Sequence, residues 1–96
     1  MKAKLIYHHK AKLHGKYILE LSIHDVGKSQ QYPDGIKYGL ICINFKTRER
    51  ILMDNHHPKG PHIHIGKDQL LYVFESEEKL IEDFKSLVFK HLGVRL

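Results

Sequence analysis

From Tyr17 to His24 the chain reads Y-I-L-E-L-S-I-H, with Tyr17, Leu19, Leu21 and Ile23 on one side and Glu20, Ser22 and His24 on the other. A period of two is that of a strand with one face in a core; a helical period of 3.6 would scatter these residues around the axis. Such a strand needs partner strands at its edges and a layer over its apolar face. The neighbouring segments meet the first need. Lys4 to His9 alternates as a half-buried strand, with Leu5 and Tyr7 facing one way, and His14-Gly15 marks the turn into the next strand. Gly27 through Gly35 is a polar loop that ends on the turn signal Pro33-Asp34-Gly35. Ile36 to Phe45 is apolar on both faces in its middle, which predicts a central strand covered on both sides. Lys46 to Glu49 connects it to a hairpin partner, Arg50 to Asp54, and His62 to Ile65 and Leu70 to Phe74 are further short candidates.

The covering layer comes from the C-terminal segment. Ser76 suits an N-cap, and Glu77 and Glu78 follow where the positive end of a helix dipole favours carboxylates. Leu80, Ile81, Phe84, Leu87, Val88 and Leu92 then share one helical stripe, and Gly93 suits the C′ position. The expected fold is therefore α+β: an antiparallel β-sheet of four to five strands with one C-terminal amphipathic helix packed on a face. A chain of 96 residues holds one core, so 1–96 is read as a single domain.

Composition narrows the function classes. Apolar residues at 42% and charged residues at 28% are those of a soluble globular protein. No apolar run approaches the ~20 residues that cross a bilayer, so no membrane partner is expected. The opening M-K-A-K-L-I-Y-H-H-K lacks a signal peptide's apolar region and cleavage site, and reads as the first strand. Cys42, the single cysteine, lies in G-L-I-C-I-N-F and reads as a small buried hydrophobe. Without a signal or a disulfide, the expected location is cytoplasmic. Sixteen Lys and Arg against 11 Asp and Glu give a net charge of +5, which favours nucleic acid slightly over a solubility charge or an acidic partner. An exposed sheet edge would support a homodimer.

The chemistry concentrates in D-N-H-H-P-K-G-P-H-I-H, Asp54 to His64. If His62 to Ile65 is extended, His62 and His64 share a face while Ile63 and Ile65 anchor the other. Pro58 and Pro61 stiffen the loop around Gly60, which would let backbone approach a phosphate, and Lys59 offers a mobile cation. One reading is metal-free cleavage of an RNA phosphodiester. His62 and His64 would be acid and base, Lys59 the electrostatic stabiliser and Asp54 the group orienting an imidazole. Asn55, His56, His57 and Gly60 would bind substrate, with His56 and His57 as further acid/base candidates. No cofactor is needed on this reading. A second uses His62, His64 and Asp54 to hold a divalent metal for hydrolysis. A third is a non-enzymatic module that binds nucleic acid or a protein partner. Against all three, His56 and His57 read as exposed loop residues and Asp54-Asn55 as a strand-end cap bonding to backbone. His8, His9, His14, His24 and His91 read as solvated or peripheral.

At these residues the chain resembles the TumE-type toxins of toxin–antitoxin systems, whose pattern D-N-x-x-x-K-G-x-H-x-H matches Asp54, Asn55, Lys59, Gly60, His62 and His64. The strand Y-G-L-I-C-I upstream and F-E-S-E-E-K-L-I-E-D-F downstream extend the likeness over most of the chain. Met53 departs from it, since a tyrosine often precedes D-N in that family. The resemblance implies a growth-inhibiting toxin neutralised by a cognate antitoxin protein. Many toxins of such pairs are ribonucleases.

Overall fold

The computed structural model describes residues 4–96; residues 1–3, the start of the segment read as the first strand, lie outside that range. Six strands and one helix follow in chain order: β1 (Lys4–Leu13), β2 (Tyr17–Asp25), β3 (Ile36–Asn44), β4 (Arg50–Asp54), β5 (His62–Ile65), β6 (Asp68–Leu71) and α1 (Glu77–Leu92). The strands form one antiparallel sheet in which each pairs with its neighbour in sequence, in the order β1-β2-β3-β4-β5-β6. The α+β architecture is as expected, with one strand more.

The alternation in β2 sets the sheet's polarity. Tyr17, Leu19, Leu21 and Ile23 are buried, and register carries the same face to Tyr38, Leu40 and Cys42 of β3, Ile51 and Met53 of β4, and Ile63 of β5. The helix covers that face, with Leu80, Phe84 and Val88 fully inside. Full burial of such side chains stabilises the two layers by about 1.5–3 kcal/mol each. Ser76 Oγ accepts the N–H of Lys79 at 3.1 Å, and Gly93, in the left-handed region at φ 70°, donates its N–H to the Phe89 carbonyl at 3.0 Å. Cys42 has no exposed surface, and burial pushes its thiol pKa up.

Three expectations are corrected. The sheet is covered on one side alone, so β3 is not a doubly covered strand: Lys37 is exposed, and Gly39, Ile41 and Ile43 are half-buried on the helix-free face. The first strand runs on to Leu13 and is exposed from Lys4 to Lys10, because it is the edge strand. A bulge sets Leu5 opposite His24 and Tyr7 opposite Ile23, so these two side chains take opposite faces. Finally, the last strand begins at Asp68, not Leu70, after a two-residue Gly66-Lys67 turn, and Tyr72 and Phe74 lie beyond it, packed against the core.

Among the described residues, no helix is long and apolar enough to cross a membrane.

Candidate functional site

The D-N-H-H-P-K-G-P-H-I-H segment is the connection between β4 and β5 together with the strand ends it joins. Residues that face one another across an antiparallel pair project to the same side. Asp54 pairs with His62 and Leu52 with His64, so Asp54, His62 and His64 all stand on the helix-free face. Ile63, between the two histidines, turns into the core and is buried. The common face expected from H-x-H is therefore present. Its base is packed.

The three side chains converge. His62 Nε2 lies 3.3 Å from Asp54 Oδ1, and the two imidazole rings meet edge to face, 4.6 Å apart and at 80°. One donor atom from each of Asp54, His62 and His64 can be chosen so that all lie within 4.8 Å of one another. Although it stands on the open face, His62 is only 4% exposed. Its Nδ1 is 2.6 Å from the Gly60 carbonyl oxygen. A carbonyl can only accept, so Nδ1 carries the hydrogen. Nε2 then faces a carboxylate with a lone pair unless a second cation, either a proton or a metal, lies between them. The separation is longer than the ~2.7–2.9 Å of a charge-assisted hydrogen bond. It matches the ~3.3 Å edge of a tetrahedron with ~2.0 Å metal–ligand bonds.

The surroundings of His64 favour its neutral form. Burial lowers its pKa most, His62, Arg50 and Lys59 lower it further, and Asp54 opposes them. A neutral imidazole presents a lone pair, as both a general base and a metal ligand require. Two histidines and one carboxylate on one rigid strand pair would fit a divalent ion and leave coordination positions open. The His62 N–H to the Gly60 carbonyl is the outer-sphere contact that fixes a ligand imidazole's tautomer.

The loop residues divide into two groups. His56, His57 and Lys59 are exposed and, with Pro58, surround the opening above Asp54, His62 and His64. Asn55 does something else. It is 6% exposed, its Oδ1 accepts the Tyr38 N–H at 2.9 Å, and its Nδ2 donates to the Ile36 carbonyl at 2.8 Å. Each end of the amide bonds to β3 main chain, so Asn55 clamps the loop to the sheet, a structural role beside the substrate binding expected of it. The cap expected of this dipeptide is seen: Asp54 Oδ1 also accepts the His56 N–H at 3.2 Å. Gly60 serves the site through conformation, since its φ of 76° turns the chain so that its carbonyl meets His62.

Arg50 and Gly39 also belong to this region and were passed over in the sequence. The two-residue period of R-I-L-M-D puts Arg50 on the face of Asp54, and a glycine inside an apolar strand is itself a signal of close approach. No protein-family model, curated protein or solved structure matches this chain.

Proposed function

We propose that the protein is a small, cytoplasmic, metal-dependent phosphodiesterase acting on RNA, the toxin of a toxin–antitoxin pair. What supports the metal is the clustering of Asp54, His62 and His64 donor atoms with the His62 Nδ1 hydrogen already committed to Gly60. What supports RNA is the net charge of +5 and the ring of His56, His57 and Lys59 around the opening. The toxin role, and with it an antitoxin partner, rests on the resemblance to the TumE-type pattern.

Asp54, His62 and His64 would hold the ion, which when bound supplies Lewis-acid polarisation of the phosphate and an activated water. Lys59 reaches from the rim to neutralise a phosphate oxygen. His56 and His57, exposed beside it, would serve as the acid for the leaving oxygen. Asn55 keeps the loop at the height where these groups can meet a substrate.

A second reading is favoured by one observation, that His62 Nε2 faces the Asp54 carboxylate, where a proton could take the place of an ion. There His62 is an imidazolium, His64 the base, Lys59 the phosphate cation, and no metal takes part. Metal analysis of protein purified without a histidine tag separates the two, together with RNA cleavage and growth inhibition assayed with and without a strong chelator. The metal reading expects about one divalent ion per chain, lost with His62→Ala or Asp54→Asn, and cleavage that a chelator abolishes. Cleavage undiminished by chelator transfers the site to the acid/base reading. Full toxicity in a His62→Ala/His64→Ala double variant removes the site from both.

A further inference from the structure

Gly39 lies in the middle of β3, flanked by β2 and β4, where glycine costs strand stability relative to almost any other residue. Its φ needs no glycine, and a Cβ built there would meet nothing within 4 Å. Neither backbone strain nor packing explains it. What it does is leave the helix-free face open: Gly39 pairs with Ser22 on one side and Asp54 on the other. A depression of about 550 Å³ lies here, bordered by Ser22, His24, Lys37 and Asp54.

Two features say what would occupy it. The depression adjoins the site already described: Asp54 and His56 border both openings. Its far rim carries a cation: Lys37 is exposed there, and His24 stands opposite it across the β2–β3 pairing. On the β1 side of the depression, Glu20 and His8 stand 3.2 Å apart. A volume of several hundred Å³ is that of a small-ligand subsite.

We propose that this depression is a nucleotide subsite, receiving the base and phosphate that adjoin the scissile phosphate of a single-stranded RNA. Gly39 gives the floor on which the base lies, Lys37 takes the neighbouring phosphate, and His24 and Ser22 edge the base. The assignment rests on the phosphodiesterase reading for its direction along the strand, but binding can be measured without turnover.

The test is fluorescence anisotropy with a labelled ten-nucleotide single-stranded RNA, read in a His64→Ala background. Gly39→Val fills the depression with a residue that favours strands, and Lys37→Glu inverts its rim charge. Lys85→Glu makes the same charge change on the exposed side of α1, on the sheet's other face. Each of the first two variants is expected to weaken binding about tenfold, the worth of one stacked base or more, while Lys85→Glu stays within about twofold. Circular dichroism and melting temperature confirm that each variant folds. Unchanged affinity in both Gly39→Val and Lys37→Glu overturns the subsite, as does an equal loss in Lys85→Glu or no binding by the parent protein. Failure to cleave any RNA overturns the hydrolytic reading instead, and leaves this comparison standing.

Discussion

The same strands build both faces of the sheet, and the two faces are made to different rules. Under the helix, Ile23, Leu40, Ile51, Met53, Leu80, Phe84 and Val88 have 0% exposure. The other face mixes a half-buried aliphatic strip, Ile18, Ile41, Ile43 and Leu52, with histidines, charges and a glycine. Asp54, His62 and His64 project there, as do Lys37 and Gly39. Apolar packing is therefore concentrated on one side and the clustered polar groups on the other, and a residue such as Ile63 joins them. It fills the core so that the imidazoles on either side of it are fixed.

The largest effect should come from the closed face. Phe84→Ala opens a cavity beneath the sheet and is expected to cost about 3–5 kcal/mol, read by urea denaturation. His64→Ala, by contrast, should cost less than about 1 kcal/mol while removing a proposed metal ligand. Equal losses would mean that the faces do not divide the work. Asn55→Ala tests the border between them. Its amide is buried and bonded at both ends, so its loss should cost about 1–3 kcal/mol, and activity should fall with the loop's attachment. A stable but inactive variant would return Asn55 to substrate binding. The smallest effect is a titration. The pKa of His64 lies below its ordinary 6.5 in the folded chain, so protons bind the unfolded chain more readily. The stability it contributes is then fully present above 6.5 and falls as pH drops through the folded pKa. NMR of metal-free protein should give a His64 midpoint below 6.5, and a midpoint above it would sink the neutral-ligand picture.

Much of this division is legible in the sequence. The period of two in β2, the helical stripe from Leu80 to Val88, the Ser76 cap and the shared face of His62 and His64 all follow from local spacing. Other features depend on what lies across the chain. The bulge that separates Leu5 from Tyr7 is a property of two strands in register, and Ile6 carries no mark of it. Ile41 and Ile43 look like residues of a doubly covered strand, yet the described residues supply one helix and these two remain half-exposed. Asn55 reads as part of a catalytic motif because its partners, the Ile36 carbonyl and the Tyr38 N–H, are backbone groups that composition cannot reveal. Gly39 is visible as a letter. Its meaning appears only once Ser22 and Asp54 flank it.

The meander order has a kinetic corollary. Every pairing in the sheet joins consecutive segments, so each new strand closes only a short loop against the one laid down before it, at low entropic cost. Asp54 and His62 belong to one such hairpin, β4 with β5. The donor triad can thus assemble locally, as a hairpin event, with the last segment of the chain needed only to lock it in place.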